Sequence, residues 1–354
     1  MTSIRVLVAD NSAIARKEIS QMLGADPDLD VVATASTGRL TLERVGQLLP
    51  DVLVLELAIP DVSGLDVLKA LRKQAPYLPV LVFSALTESA GNITLDALAL
   101  GASDYVTKPP PGGALERARE TLIAKIKELY ARNRSETQRA LASRNVDQAK
   151  VPQRQPRVGV VVVGASTGGP NMLTEVLSTL PADLPVPVLV TQHMPPVFTK
   201  LFAERLNTAC RLKVREAVSG EAVRAGQVWI APGDFHLTVT REGPQVRLLT
   251  HQGPLENSCR PAVDVLFRSA AVTYGSGVLA VVMTGMGQDG LKGCQAVHQS
   301  GGQIIVQDPN TCIIGSMPRA VIQAGLSPQV VPLQELGAEI LKRATRVPPP
   351  HGTV

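Results

Sequence analysis

The sequence predicts an α/β protein built from two doubly wound parallel-sheet domains, and three observations support this. Short β-branched runs alternate with longer helical stretches over about the first 130 residues, the rhythm of strands and helices in a parallel sheet. The same alternation resumes at Val158, after a polar segment. Finally, 354 residues are enough for two cores, because single cores stop growing at roughly 250 to 300 residues.

The first domain is placed at residues 1–125. Its five strand candidates are IRVLVAD, DVVATAS, DVLVLEL, PVLVFSA and ASDYVTKP. The helix candidates that follow them are SAIARKEISQML, GRLTLERVGQLL, GLDVLKALRKQ, ITLDALALG and LERARETLIAKIKELYARN. Five strands that alternate with five helices indicate one parallel sheet with helices on both faces.

A basic, polar segment follows, and we interpret residues 126–156 as a linker. Between Ala131 and Arg157, seven basic residues stand against two acids, whereas the whole chain has a net charge of only +4. Charge confined to a polar stretch is typical of a solvated connector, and no aromatic residues interleave it to stack on bases. The sequence therefore gives no support to nucleic-acid binding.

The second domain is placed at residues 157–345. Helical stretches separate its six strand candidates, which are VGVVVVGAS, PVPVLVTQHM, GQVWIAPGD, QVRLLT, GVLAVVMTGMG and GQIIVQD. This is again the pattern of a parallel sheet covered by helices.

Composition indicates a cytoplasmic protein without membrane insertion. No apolar run approaches the roughly 20 residues that span a bilayer, and MTSIRVLVAD is not built like a signal peptide. The four cysteines show no Cys-x-x-Cys spacing and no grouping with the five histidines. Reduced thiols are therefore favoured over disulfides or a zinc site.

Polar side chains stand where four predicted strands of the first domain end. Asp10 and Asn11 follow the first strand, Glu56 the third, Ser84 the fourth and Lys108 the fifth. Ligands of open parallel sheets bind at this edge because the carboxyl ends of the strands meet there. Carboxylates facing a hydroxyl and an ammonium group could hold a divalent cation and an anion together. Ordinary loop polarity is the alternative.

The segment VGVVVVGASTGGP has the G-x-S-x-G spacing of a nucleophile elbow, from Gly164 to Gly168. In such an elbow a tight turn exposes the serine hydroxyl, here that of Ser166, above the sheet. Two alternatives remain open: Ser166 or Thr167 caps the helix, or the turn cradles a phosphate. The phosphate loop has less support, because neither G-x-G-x-x-G nor G-x-x-x-x-G-K-[ST] is present.

Candidates for a base and an acid lie at the ends of later strands. His193 ends the strand in VTQHMPP, and Asp289 lies in the loop after VVMTGMG. With the elbow serine they would form a catalytic triad, although the chain order differs from the Ser, Asp/Glu, His order of α/β-hydrolases. Asp308 is a rival acid, and His236 and His251 are rival bases less clearly placed at strand ends.

With Pro60, Gly64, Tyr105 and the TKP ending of the fifth strand, the first strand-end set resembles the receiver domain of two-component response regulators. The resemblance covers about the first 125 residues. It implies two adjacent acids after the first strand and a phosphoryl-accepting aspartate after the third. Here Asn11 replaces the second acid, and Glu56 stands at the acceptor position.

These departures predict a receiver fold that phosphorylation switches weakly or not at all. The longer side chain of Glu56 displaces the carboxylate by about 1 Å, which can cost roughly a hundredfold in rate. Mg²⁺ demands near-ideal octahedral geometry, so a site at Asp10 and Glu56 with Asn11 should bind it weakly. Three states remain open: Glu56 mimics phosphorylation in part, Glu56 pairs with Lys108 in a closed form, or another input replaces phosphate.

Six stretches of the second domain resemble the chemotaxis-type protein-glutamate methylesterase. They are VGASTGGP, TQHMPPVFTKLFAERLN, VWIAPGDFHLTV, SCRPAVDVLFRSAA, MTGMGQDG and SMPRAV. The resemblance implies a flavodoxin-like receiver followed by a Rossmann-like methylesterase domain. It also implies a triad of Ser166, His193 and Asp289, rather than Asp308, and assigns Thr167 and Met286 to the pocket and oxyanion site.

The implied reaction is hydrolysis of γ-glutamyl methyl esters on methyl-accepting chemoreceptors, with release of methanol and without a cofactor. Members of the family also remove ammonia from glutamine side chains. We expect a monomer that contacts chemoreceptors and the chemotaxis histidine kinase. The alternative is a non-catalytic signalling module that binds receptor or kinase, and a complete set of triad residues argues against it. Nucleotide binding is a weaker third hypothesis.

Overall fold

The computed structural model describes residues 3–109, 115–139, 156–326 and 328–346. The chain divides into two compact units, Met1–Val146 and Asp147–Val354. Each is an α/β unit with its own parallel sheet, as the sequence predicts.

The first unit contains a five-stranded parallel sheet in the order β2-β1-β3-β4-β5. Four of its strands are almost wholly buried, because helices cover both faces of the sheet, whereas the edge strand β2 is largely half-buried. The strands are β1 (Ile4–Ala9), β2 (Leu29–Ala35), β3 (Val52–Leu55), β4 (Val80–Ser84) and β5 (Asp104–Thr107). The helices are α1 (Ala13–Gly24), α2 (Gly38–Leu48), α3 (Gly64–Gln74), α4 (Glu88–Ala99) and α5 (Leu115–Arg139).

Hydroxyl side chains begin four of these helices. Ser12, Thr37, Ser63 and Thr87 each accept a hydrogen bond from the backbone N–H three residues further on, which satisfies a donor that the helix leaves unpaired. Thr87 starts α4 five residues before the predicted stretch ITLDALALG. The difference arises because the polar, glycine-containing sequence ESAGN has no apolar periodicity.

Helix α5 continues past the predicted boundary at residue 125. Ile126 and Leu129 are buried, and the helix packs against α1, β3 and β5. The first part of the predicted linker 126–156 is thus helical and belongs to the first unit, because its apolar side chains continue the helical spacing. Residues 140–155 lie outside the described part of the chain.

The second unit contains a seven-stranded sheet in the order β14-β13-β12-β6-β7-β9-β8, all parallel, and a separate antiparallel hairpin. The strands are β6 (Val160–Ala165), β7 (Val188–Gln192), β8 (Lys213–Glu216), β9 (Gln227–Ile230), β10 (His236–Glu242), β11 (Gln245–His251), β12 (Val278–Val282), β13 (Gln303–Gln307) and β14 (Gln329–Val331). The helices are α6 (Gly169–Ser178), α7 (Phe198–Ala209), α8 (Val263–Tyr274), α9 (Leu291–Gln299), α10 (Ser316–Gln323) and α11 (Leu333–Ala344).

Three strands of this unit do not appear among the sequence candidates. β8 and β14 are edge strands of four and three residues with exposed positions, so they lack a continuous apolar run. β10 pairs with the stretch QVRLLT, which forms β11 of the hairpin instead of a strand in the parallel sheet. Apart from the exposed Leu249, the outward residues of the hairpin are polar, a pattern of antiparallel strands with one solvated face.

The centre of the large sheet positions the site. β12, β6 and β7 are neighbours and are buried throughout. Because they are parallel, the loops that follow them meet at one edge. Helix α8 packs on β6 and on the hairpin strand β10. Among the described residues, no helix is both long and apolar enough to span a membrane.

Candidate active site

The elbow serine lies in a tight turn between β6 and α6. β6 ends at Ala165, Ser166 follows, and α6 begins at Gly169. Gly168 has a φ of 76°, a left-handed conformation that favours glycine. A Cβ at this position would also lie 2.4 Å from the Ile313 side chain. The turn therefore requires Gly168, and it leaves the Ser166 side chain at the carboxyl edge of the sheet.

The loop after β12 lies directly against the serine. The Ser166 N–H donates to the Thr284 carbonyl at 2.9 Å. A Cβ on Gly285 would lie 2.8 Å from Ser166 Cβ and 2.1 Å from Met317 Sδ, so only glycine allows this approach. The close contact fixes the position of Ser166 relative to the loop that contains the candidate acid.

The three candidate triad residues are in hydrogen-bond contact. Ser166 Oγ lies 3.1 Å from His193 Nδ1, and His193 Nε2 lies 2.8 Å from Asp289 Oδ2. The neutral imidazole that could accept the serine proton at Nδ1 would have its own proton on Nε2, directed at Asp289. The preceding residue, Gln192, donates its amide to the Ser166 carbonyl at 3.0 Å and so ties the end of β7 to the elbow.

Asp289 is only 2% exposed, yet each of its oxygens has several donors. Oδ2 accepts from the Val263 N–H at 2.7 Å as well as from His193. Oδ1 accepts from the N–H groups of Asp264 and Gly290, both at 3.0 Å, and from the Asn257 amide at 2.8 Å. Val263 and Asp264 open α8, so the carboxylate lies at a helix N-terminus, where negative charge is favoured.

These contacts determine the ionisation of the pair. Burial alone would raise the pKa of Asp289, but His193 and the N–H groups of α8 lower it below its usual value. Burial alone would lower the pKa of His193, whereas the Cys259 sulfur and Asp289 raise it above the ordinary histidine value. Cys259 Sγ lies 3.5 Å from His193 Nδ1. The acid is thus held ionised, and the base is strengthened.

The positions assigned to the oxyanion site line the same edge. Thr167 is 2% exposed, and its hydroxyl has no hydrogen-bond partner among the residues that the structure describes. Its carbonyl accepts from the Thr284 hydroxyl at 2.9 Å. Across the described ranges, the backbone N–H groups of Thr167 and Met286 donate to no protein acceptor. Two free donors beside a serine nucleophile are what a developing oxyanion requires.

The rival bases and the rival acid bond elsewhere. His236 accepts the Ala262 N–H at Nδ1 and donates from Nε2 to the Pro254 carbonyl. His251 accepts the N–H of Gly253 and stacks at 5.4 Å from His236. These contacts fix the loop between the hairpin and α8. Asp308 accepts from the N–H of Asn310 in a turn after β13.

Three residues near the candidate triad were not selected from the sequence. Asn257 contacts both Asp289 and Asp264, and Cys259 contacts His193. Asp264 is 1% exposed on a helix whose other inward residues are apolar. A charged residue at a position of helical apolar spacing was therefore the available signal. Asn257 and Cys259 lie in a loop without periodicity, so the sequence gave no signal for these two residues.

Strand-end residues of the first unit also meet, and one lysine there pairs with two carboxylates. Lys108 Nζ donates to Asp10 Oδ2 at 2.7 Å and to Glu56 Oε2. Glu56 Oε1 accepts the N–H groups of the next two residues, at 2.7 and 3.1 Å. Burial alone would lower the pKa of Lys108, but its bonds to Asp10 and Glu56 raise it. The lysine is therefore held as a cation between two carboxylates.

Asn11 and Ser84 lie at this edge but bond away from the carboxylates. The Asn11 amide donates to the Ala58 carbonyl at 2.8 Å. The buried Ser84 hydroxyl accepts from Thr94 at 2.9 Å. The edge thus brings Asp10, Glu56 and Lys108 into direct contact, while the other two side chains support neighbouring loops and helices.

The donor set at this edge does not fit a magnesium ion. Within the described part of the chain, no group of three or more His, Cys, Asp or Glu residues could hold a metal. Both carboxylates of Asp10 and Glu56 already bind Lys108, and Glu56 has further backbone donors. Mg²⁺ would have to displace these donors to obtain its oxygen ligands.

Two family models match this chain, one in each unit. Residues 161–340 match the family model described as CheB methylesterase, and residues 6–119 match the response regulator receiver domain. A protein-glutamate methylesterase/protein-glutamine glutaminase of Trichodesmium erythraeum is 44% identical over 350 residues, covering 97% of this chain and 99% of that protein. A protein of the same name from a Nocardioides species is 46% identical and covers 99% and 98%.

Among solved structures, the second unit resembles the crystal structure of the CheB methylesterase catalytic domain of Thermotoga maritima. The TM-score is 0.52 at 41% sequence identity, and the match covers 53% of this chain and 99% of that chain. The similarity therefore includes both the sequence and the fold of the unit that contains Ser166, His193 and Asp289.

Proposed function

This chain belongs to the CheB methylesterase family, as a protein-glutamate methylesterase/protein-glutamine glutaminase with a receiver domain, and we propose that Ser166, His193 and Asp289 perform its chemistry. The observation that supports this most directly is the unbroken series of contacts from Ser166 Oγ through both nitrogens of His193 to Asp289. Serine, histidine and aspartate in such contact are the parts of an acyl-transfer site.

In the first half-reaction, His193 Nδ1 takes the proton of Ser166 as Oγ attacks the ester carbonyl carbon of a methylated glutamate. The tetrahedral intermediate collapses, and the methoxide leaves with the proton from Nδ1 as methanol. In the second half-reaction, His193 takes a proton from water, which attacks the glutamyl-serine ester. The products are a glutamate carboxylate and free Ser166.

Asp289 and the elbow backbone stabilise the charges that develop. The carboxylate of Asp289 holds the Nε2 proton and favours the imidazolium form of His193. The N–H groups of Thr167 and Met286 are the donors proposed for the oxyanion. One such donor is worth about 2.7–4 kcal/mol of transition-state stabilisation. No step in this sequence needs a cofactor.

Removal of the nucleophile tests the proposal. Ser166→Ala should reduce methanol release from methylated chemoreceptor by about 10⁴-fold or more, because the remaining site offers only binding and oxyanion stabilisation. Ser178→Ala, at the half-buried last residue of α6, is the matched control and should retain wild-type turnover. Substantial methanol release by Ser166→Ala would contradict the triad and favour a non-catalytic signalling module.

The glutaminase reaction uses the same acyl-serine. With a glutamine side chain, the leaving group is ammonia, and His193 Nδ1 supplies the proton that it needs. The shared names of the relatives support both activities. Ser166→Ala should therefore abolish ammonia release from receptor glutamines together with methanol release. If Ser166→Ala lost only one of the two activities, the two reactions would use different sites.

For the receiver, we propose that Glu56 is a disabled phosphoryl acceptor locked to Lys108. The ion pairs with Lys108 and the backbone donors on Glu56 support this. After incubation with a small phosphodonor and Mg²⁺, the intact mass of the wild-type protein should not change. The variant Asn11→Asp/Glu56→Asp should gain one phosphoryl group. A stoichiometric phosphate on the wild-type chain would contradict the proposal.

We also propose that the protein acts as a monomer in the cytoplasm, with the helical cytoplasmic region of methyl-accepting chemoreceptors as its substrate and the chemotaxis histidine kinase as a partner of the receiver. The family supports the chemoreceptor as substrate. Light scattering of the purified chain and co-purification with each partner test these points; a stable dimer would contradict the first.

A further inference from the structure

A tight turn between β11 and α8 lies beside the triad. Glu256 and Cys259 exchange two backbone hydrogen bonds, at 3.1 and 2.9 Å. The two residues between them, Asn257 and Ser258, have φ values of 52° and 61°. Consecutive left-handed residues define a type I′ turn, which favours asparagine or glycine. Left-handed residues other than glycine are uncommon and occur often at functional sites.

The turn places one side chain against two buried carboxylates. The Asn257 amide donates to Asp289 Oδ1 at 2.8 Å and to Asp264 Oδ2 at 2.9 Å. Both carboxylates are at most 2% exposed. A side-chain amide has two N–H donors, so Asn257 uses its complete donor capacity on these two acids.

The two acids differ in how well they are stabilised. Asp289 has five donors, whereas Asp264 accepts, among the described residues, from the Asn257 amide and from the Gly293 N–H at 2.6 Å. Burial and the charge of Asp289 raise the pKa of Asp264 above its usual value. Two neighbouring buried carboxylates repel each other. The bridging amide lies where it relieves this repulsion and fixes their orientation.

We propose that Asn257 is a positioning residue for the esterase reaction, which keeps Asp289 ionised and turned with Oδ2 toward His193. Asp264 anchors the Asn257 amide from the other side, and the left-handed turn brings the amide to both acids. The inference rests on the proposed triad, because Asn257 acts only through Asp289.

Glycine substitutions in the turn provide a matched pair. Asn257→Gly keeps the left-handed backbone, which glycine adopts freely, but removes the amide. Ser258→Gly makes the same change one residue later and keeps the amide. Asn257 is exposed as a whole, so both variants should fold, which thermal unfolding of the full chain would verify.

With methylated chemoreceptor as substrate, Asn257→Gly should lower kcat by about ten- to a hundredfold while KM stays within about twofold. The midpoint of the rise of kcat with pH should move to lower pH, because a displaced Asp289 no longer raises the pKa of His193. A loss of folded protein would scale kcat without moving the midpoint. Ser258→Gly should leave both quantities within about twofold of wild type.

A double-mutant cycle tests whether the effect passes through Asp289. In an Asp289→Asn background, Asn257→Gly should cost less than about twofold, because the partner that it positions is already lost. An equal loss in both backgrounds would overturn the inference, as would wild-type kcat and midpoint in the single variant. If Asn257→Gly were poorly folded, Asn257→Asp would replace it in the test, because aspartate has the same size as asparagine. Its carboxylate would face Asp264 and Asp289 with acceptor oxygens in place of the amide donors, so kcat should fall further than in Asn257→Gly.

The failure of this inference is distinguishable from failure of the proposed function. If Ser166→Ala retains turnover, the triad itself is wrong. If Ser166→Ala is inactive and Asn257→Gly has wild-type kinetics, only the positioning role is wrong.

Discussion

The carboxyl edges of the two parallel sheets have similar arrangements of side chains, but the carboxylates there have different kinds of donor. At both, carboxylates lie at the ends of parallel strands beside a basic side chain. At the edge that contains the proposed triad, neutral N–H donors surround Asp289, and one carboxylate oxygen remains directed at His193. At the receiver edge, the cation of Lys108 binds both Asp10 and Glu56.

The difference shows how the donor determines what a buried carboxylate can do. Neutral donors stabilise the charge and preserve it for a partner whose protonation changes during reaction. A fixed cation offsets one of the two carboxylate charges and occupies oxygens that a metal would use as ligands. Four predictions test this contrast, from the largest expected free-energy change to the smallest.

Asp289→Asn should lower kcat by about 10⁴-fold, because an amide does not stabilise the imidazolium and can favour the wrong tautomer of His193. Methanol release from methylated chemoreceptor measures the effect. Asp308→Asn changes the rival acid in the same way and should stay within about twofold of wild type. If kcat fell by a similar factor in both variants, Asp289 would have no special role in the reaction.

Lys108→Met should destabilise the receiver unit by roughly 3 kcal/mol at pH 7, because it leaves the buried Asp10 and the half-buried Glu56 without their cation. Lys127→Met, which removes a surface ion pair with Asp26 and Asp28, should cost about 1 kcal/mol or less.

Urea unfolding of the full chain separates the two units in this measurement. Trp229 is the single tryptophan and is buried in the second unit, so its fluorescence reports that unit, while circular dichroism reports both. The Lys108→Met transition should shift in circular dichroism and not in fluorescence. An unchanged receiver transition would show that the carboxylates do not need the cation.

Thr284→Val should lower kcat by about ten- to a hundredfold with little change in KM. The hydroxyl contacts the Thr167 carbonyl at 2.9 Å and accepts the Ile314 N–H at 3.0 Å. Without it, the elbow that presents the oxyanion donors loses a support, and a buried N–H loses its acceptor at a cost of about 1–3 kcal/mol. Thr240→Val, on the hairpin, is the control. Equal kinetics in both variants would contradict the support role.

Cys259→Ala should have the smallest effect, with the plateau of kcat/KM within about threefold of wild type. Because the sulfur contributes to the raised pKa of His193, its removal should move the rise of kcat/KM to lower pH. Cys210→Ala, a half-buried cysteine of the same unit, should leave the profile unchanged. A shift to higher pH would reverse the inferred sign.

The strand ends were predictable from the sequence because strand and loop alternate so clearly in both units. The G-x-S-x-G turn and the strand-end position of His193 indicated which side chains meet at the catalytic edge. Whether His193 contacts Asp289 or Asp308 depends on the path of one loop. Periodicity could not decide between the two acids, and the family resemblance selected Asp289. The Lys108 pairing was one of three states that the residue types left open.

Other features depended on long-range contacts that local sequence does not encode. QVRLLT has the apolar content of a sheet strand, but its partner HLTVTRE became clear only from the antiparallel register. Asn257 lies in an aperiodic loop, and its two acceptors are 7 and 32 residues away in the chain. For helix α5, by contrast, the predicted stretch LERARETLIAKIKELYARN already passes the domain boundary placed at residue 125, and the burial of Ile126 and Leu129 assigns that part of the helix to the first unit.

The three residues of the proposed triad follow three neighbouring strands, and this has a consequence for how the enzyme gains activity during folding. Ser166 and His193 are 27 residues apart, and His193 and Asp289 are 96 apart. Such distant partners meet only after β12, β6 and β7 have paired, a slow kind of event because long loops must close first. Recovery of methanol release after dilution from urea therefore times the completion of the central sheet, and it should lag behind the return of helical signal.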